Sequence, residues 1–281
     1  MKIGIIGDSS CDFTDELRER IGAKIAPLRV TVEGKEFVDD ENLKLEELLE
    51  AMRKAKSASS SACPSPAEFA AFMEMYEACF VVTLSSGLSG SYNAAEVAKS
   101  MVLEQYPEKK IHVINSESAS SGQTLLALAV VEMEKEGKTF EEIVEAIEIK
   151  KAEMRTVFVL EDLDNFIKNG RLSKVAGVIA TALSIRPVLA DDGHGEIIML
   201  DKVRGTANAL NRLVERVAEF SAGKEDKSVS MVLSHCNNAA RGQEVMDMIL
   251  KACPAIAEIT MVNMHGLSSM YANEGGIIVA F

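Results

Sequence analysis

Apolar positions in the first half of this 281-residue chain follow two alternating rhythms. Short runs rich in β-branched and aliphatic residues read as strands over Lys2–Gly7, Ala26–Thr31, Phe80–Leu84 and Lys110–Ile114. Between them, apolar residues recur three and four positions apart, which is helical spacing. That spacing predicts helices at about Asp15–Ile21, Leu45–Ala55, from Ala67, at Tyr92–Glu104, Leu125–Glu136 and Phe140–Lys151, with Lys54–Pro66 as a Ser-rich loop. Strands that alternate with helices imply a parallel sheet, right-handed crossovers and helices on both faces.

The rhythm changes after about residue 153. Thr156–Leu160, Arg186–Ala190, Ile197–Val203, Val229–Ser234 and Ile256–Asn263 read as strands, and Gly275–Phe281 as a closing strand. Helices are expected at 206–221 and 240–252, with helical segments from the Thr156 strand to about Ile185. Asp191-Asp-Gly-His-Gly195 separates two apolar runs as a hairpin turn does. The expectation is an α/β protein of two domains: residues 1–153 with a parallel sheet covered on both faces, and residues 154–281 of mixed α/β structure.

Candidate chemistry concentrates in the stretch Phe80–Ala95. A strand ends in Ser85-Ser86-Gly87, Ser89 follows, and an Ala-rich helix begins. Hydroxyls and backbone N–H groups at a helix start suit an anionic head group. The same residues also serve as ordinary helix caps. Further hydroxyl clusters, Ser9-Ser10, Ser59–Ser61, Ser116 and Ser118–Ser121, follow several predicted strands, where α/β folds place their ligand crevice. Neutral donors with few bases fit a carboxylate better than a phosphate.

Composition narrows the choice. Hydrophobic residues make up 47%, with no Trp and 14 Met, so the interior is aliphatic and suited to an adaptable cavity. The net charge of −13, held mostly in the first half, argues against nucleic acid as a partner. Arg171, Arg186 and Arg204 make the second half the better place for a phosphate or an acidic partner. Five scattered Cys without a CxxC pair point to reduced thiols, no metal site and a cytoplasmic protein. No apolar run is long enough to span a bilayer, and the first strand is too short for a signal peptide.

Catalytic templates fit poorly. Gly4 and Gly7 do not make a dinucleotide fingerprint, no phosphate-binding P-loop occurs, and Gly87-Leu-Ser89-Gly90 breaks the nucleophile-elbow spacing. His112, His194, His235 and His265 show no paired spacing for a metal. No cofactor is called for. The enzymatic alternative is an acyl hydrolase or transferase using Ser86 or Cys63 with His235 or His265. A module whose pocket its own side chains fill is the remaining alternative.

Taken together, Asp8-Ser9, Ala26-Pro-Leu28, Cys63-Pro-Ser-Pro-Ala-Glu-Phe69, Leu84-Ser-Ser-Gly-Leu-Ser-Gly-Ser-Tyr92, Ser121-Gly-Gln123, Lys168-Asn-Gly-Arg-Leu-Ser173, Ile185-Arg-Pro-Val-Leu189 and Lys202-Val-Arg-Gly205 stand in the order seen in one family. The chain resembles the DegV family of bacterial fatty-acid-binding proteins over nearly its whole length. The resemblance implies a non-catalytic lipid carrier that holds a palmitate- or oleate-like chain in a tunnel between two domains. The partner it implies is a separate, dihydroxyacetone-kinase-like fatty acid kinase. It places the carboxylate on hydroxyls at positions that are Ser61 and Ser86 here, and assigns Arg171 and Arg204 to the kinase or the acyl phosphate. Two positions depart from the family pattern: Cys63 stands for a Gln, and Tyr271 for a late His. With Ser85, Gly87 and Ser89, these two complete the expected ligand-binding set.

Overall fold

The computed structural model describes residues 3–172, 185–225 and 227–281. Ser173 and the helical reading of 173–184 lie outside the described residues.

The first half builds the expected parallel sheet. β1 (Gly4–Asp8), β2 (Lys24–Ala26), β6 (Ala78–Thr83) and β7 (Lys110–Asn115) pair in the order β2-β1-β6-β7, all parallel. Successive strand residues point to opposite faces. Ile5, Phe80 and Val82 therefore pack with α1 (Asp15–Ile21), α5 (Ser121–Lys135) and α6 (Phe140–Glu153). Ile6, Cys79 and Val81 meet α3 (Pro66–Met73) and α4 (Ser91–Gln105) on the other side. Helices cover both faces, as the alternating runs predicted.

Several elements depart from the sequence reading. The strand expected over Ala26–Thr31 breaks at Pro27-Leu28, because the chain leaves the parallel sheet after β2 and enters a small antiparallel one. That sheet has the order β4-β3-β5, with β3 at Arg29–Val32, β4 at Lys35–Val38 and β5 at Ser60–Ala62. β5 lies within the stretch expected to be loop. Lastly, α5 begins four residues early: Ser121, Gly122, Gln123 and Thr124 are polar or small, yet fully helical and buried.

The second half forms a six-stranded sheet, β10-β9-β8-β13-β11-β12. Its strands are β8 (Thr156–Val159), β9 (Ile185–Asp191), β10 (Ile197–Arg204), β11 (Val229–His235), β12 (Ile256–Asn263) and β13 (Ile277–Ala280). Only β11 and β12 run parallel, so the sheet is mixed as expected. One face, with Val157, Val159, Val279 and Leu233, is covered by α8 (Thr206–Ser221) and α9 (Ala239–Ala252). The other face meets α5, whose apolar core includes Val232, Val262 and Ala280. Ser121 secures that contact: its hydroxyl donates to the Ile278 carbonyl at 2.8 Å and accepts the Ser234 N–H at 3.0 Å.

Two short helices complete the described fold: α2 (Leu45–Lys54), with Leu48 and Leu49 buried, and α7 (Asp164–Lys168). A further helix, α10 (Gly266–Ala272), lies where no helix was expected.

Candidate functional site

A cavity of about 330 Å³ lies where the carboxyl edge of the first sheet faces β8 and β13 of the mixed sheet. Alternation along β8 sends Val157 and Val159 into the core beneath α8, and turns Thr156, Phe158 and Leu160 to the cavity. Helix α10 contributes one face, with Leu267, Ser268, Tyr271 and Ala272. Leu28, Leu84, Leu88, Ile197 and Ile278 make the remaining wall largely apolar.

Polar groups gather at the two ends and along the floor. At one end stand Ser61 and Cys63 on and after β5, Ser89 and Gly90 at the start of α4, Tyr271 and Arg171. Gly90 caps α4 without a side chain of its own, Ser89 Oγ accepts the Ser91 N–H at 3.2 Å, and the helix turns its positive end here. Arg171 is the one basic residue among the described cavity residues. Its Nε donates to the Leu88 carbonyl at 3.3 Å and its Nη1 to the Asn169 carbonyl at 2.5 Å. Tyr271 stacks on Phe166 with ring centroids 4.4 Å apart. A Cβ at Gly90 would lie 3.2 Å from the Cys63 sulfur, so the thiol packs directly beneath the turn.

Ser10, Ser120 and Ser268 line the cavity beside a set of buried acids. Ser120 donates its hydroxyl to Asp12 at 2.5 Å, and the His265 backbone N–H donates to the other oxygen of Asp12 at 2.8 Å. Burial pushes the Asp12 carboxyl up to about 6, against the opposing pull of the His265 charge and its hydrogen bonds. Asp39 accepts the Gly266 and Leu267 N–H groups and so caps α10. Asp8 accepts from Leu84 N–H and Gln123. Burial raises the carboxyl pKa of both these acids as well.

The expected site residues separate into two groups. Ser61, Cys63, Ser89, Tyr271 and Arg171 converge on the cavity. Ser85, Ser86, Gly87 and Arg204 are not among its lining residues. Ser86 lies exposed on the outer side of the turn, where Asn115 Nδ2 donates to its hydroxyl at 2.9 Å and Asn115 Oδ1 accepts its N–H at 3.0 Å. Ser85 is buried but donates to the Gly195 carbonyl at 2.7 Å. Gly87 packs against the same carbonyl. Arg204 is exposed at the end of β10. Arg171, expected to meet the kinase or the acyl phosphate, is half-buried at the cavity.

Ser268, Thr156 and the buried Asp12 were not singled out from sequence. Their signals were weak, since each is one polar residue at the edge of an apolar run. The histidines serve other contacts: His265 Nε2 pairs with the Phe13 carbonyl, His235 Nδ1 accepts the Asn238 N–H, and His112 pairs with Glu148. Among the described residues no His ring bonds to a Ser or Cys side chain, and no cluster of three His, Cys, Asp or Glu could hold a metal ion. No described helix is long and apolar enough to cross a membrane.

Comparison with known proteins agrees with this architecture over the full length. A DegV domain-containing protein of Streptococcus pneumoniae is 35% identical over 281 residues, covering 99% of this chain and 98% of that one. A DegV family protein of Ruminococcus gnavus, refined with vaccenic acid, is 40% identical with a TM-score of 0.93, covering 100% of this chain and 99% of the other. The S. pneumoniae fatty acid kinase B3 protein, loaded with linoleic acid, is 34% identical with a TM-score of 0.89 and the same coverage. The model of the DegV family, whose description is of uncharacterised proteins, matches residues 2–281. This chain belongs to the DegV family.

Proposed function

We propose that the protein binds a long-chain fatty acid in this cavity, with its carboxylate at the end formed by Arg171, Ser61, Ser89, Cys63 and Tyr271. The observation that carries the reading is an apolar cavity with a single cation among its described residues, at one end, in a fold whose relatives hold vaccenic and linoleic acids. Each buried methylene stabilises the complex by about 0.8 kcal/mol. An acyl chain thus supplies on the order of 10 kcal/mol before the losses of association. The polar end then decides orientation. A charge-assisted bond from Arg171 is worth about twice a neutral one. Ser61 and Ser89 add neutral donors, and the start of α4 adds the field of its dipole.

The role is that of a carrier. Among the described residues no His ring bonds to a Ser or Cys of the cavity, and the carboxylate can be presented at the Arg171 end to a fatty acid kinase. Exposed Arg204 belongs to the surface such a partner would meet. Ser85, Ser86 and Gly87 shape the turn that closes the cavity.

Native mass spectrometry of the purified protein tests this. The expected result is co-purified fatty acid, or uptake of added palmitate or oleate. Arg171→Ala should weaken oleate binding by roughly tenfold, the equivalent of one charge-assisted hydrogen bond. Protein that neither carries nor takes up a fatty acid would refute the reading.

A further inference from the structure

The end of the cavity away from Arg171 is not built for a methyl terminus. Four residue steps separate Thr156 from Leu160, about 13 Å of extended chain. Beyond Leu160 the chain passes through α7 to Arg171, so Thr156 marks the opposite end. The turn that closes the cavity spans the same distance, with Ser85 at Gly195 and Gly90 at Cys63.

At that far end the hydroxyls of Ser118 and Thr156 lie 2.7 Å apart, and both residues are only 5% exposed. Glu117 and Asp191 line the cavity beside them. Asp191 accepts the Thr156 N–H at 2.5 Å and the Gly193 N–H at 2.9 Å. A carboxylate has about four acceptor sites, so acceptor capacity remains. Ser118 also donates to the Ala119 carbonyl at 3.4 Å, so Thr156 is the donor within the pair, and both hydroxyls keep lone pairs. This end therefore offers acceptors, hydroxyls and negative charge, with no described cation lining it. A saturated tail pressed here would desolvate these groups without replacing their bonds to water, which is costly. A second carboxylate would be repelled. A carbonyl would bring one more acceptor. An alcohol brings the missing donor.

We infer that the cavity prefers a fatty acid carrying a hydroxyl well removed from its carboxylate, recognised by the Ser118–Thr156 pair and Asp191. This rests on the fatty-acid reading above and adds the class of acyl chain. The hydroxyl donates to the pair or to the carboxylate, and replaces the water that the tail displaces. Burial already holds the Asp191 carboxyl above its ordinary range, consistent with a poorly hydrated acceptor.

Competition between ricinoleate and oleate, which differ by one hydroxyl, tests the inference. Ricinoleate should bind about fivefold to tenfold more tightly, the equivalent of one hydrogen bond gained by an otherwise buried hydroxyl. Thr156→Val keeps the side-chain shape and the backbone bond to Asp191, and Ser118→Ala removes the other half of the pair. Either variant should bring the ratio to one or below while oleate binding holds or improves. Equal affinities in the parent protein overturn the inference and leave fatty-acid binding intact. A ricinoleate preference that survives both variants also overturns it, because the hydroxyl is then read elsewhere. If neither lipid binds, the inference falls together with the reading it rests on.

Discussion

Three carboxylates, Asp8, Asp12 and Asp39, are buried side by side at the carboxyl edge of the first sheet, with His265 the nearby titratable base. For Asp12, burial raises the carboxyl pKa from the ordinary 3.8 to about 6, so the folded protein holds this proton more tightly than the unfolded chain. Stability therefore falls as pH rises from about 4 to about 6, and the cost of the ionised group is fully present above that window. Asp12→Asn removes the titration and can still bond Ser120 and the His265 N–H. Thermal melts of the variant should show a shallower loss of stability across that window than the parent. Asp8 and Asp39, also raised by burial, supply the remaining slope in both proteins. Superimposable pH profiles would mean that Asp12 does not titrate there. The hydroxyls of this region, Ser9-Ser10 and Ser118–Ser121, were legible from sequence as clusters after strands. The acids beneath them were not, because 43 acidic residues in one chain give no local sign of which few turn inward.

At the scale of elements, the turn from Ser85 to Gly90 joins the ends of the site. It was legible because a β-branched run, a Ser-Gly turn and an Ala-rich helix each have a local signature. Its direction was not: whether Ser86 faces inward depends on Asn115 and on the tip of the β9–β10 hairpin, both distant in sequence. The hairpin tip meets the turn closely, and a Cβ at Gly87 would stand 2.8 Å from the Gly195 carbonyl oxygen, too near for any ordinary contact. Gly87→Ala should therefore push the hairpin off the turn and weaken the Ser85–Gly195 bond. Bound fatty acid should then exchange faster, by roughly the tenfold that loss of one or two hydrogen bonds implies. Stopped-flow displacement of a fluorescent fatty acid measures this, and an unchanged off-rate would show that the hairpin does not guard the cavity. Helix α10 illustrates the same limit. Its amino end is capped by Asp39, over two hundred residues earlier in the chain, so nothing adjacent to Gly266 announced a helix. Tyr271 on this helix lines the cavity.

For the whole molecule, the change of strand rhythm near residue 153 marks the passage from the parallel sheet to the mixed one. The apolar core does not stop there. Helix α5 is buried on nearly all sides over its first ten residues and packs on β1 and β6 in one direction and on β11 and β13 in the other. Sequence periodicity could not show this, because a helix buried all round carries no single apolar stripe. The cavity lies at the carboxyl edge of the first sheet and against the mixed sheet, so the geometry of the site depends on α5 holding the two together. Leu126 and Val130 are fully buried within that shared core. Leu126→Ala should cost about 2–5 kcal/mol. If the two halves melt as one unit, calorimetry should show a single transition that moves down as a whole in the variant, and a saturating fatty acid should raise it. Two transitions, of which the substitution shifts only one, would instead make residues 1–153 and 154–281 separately folding domains that α5 merely touches.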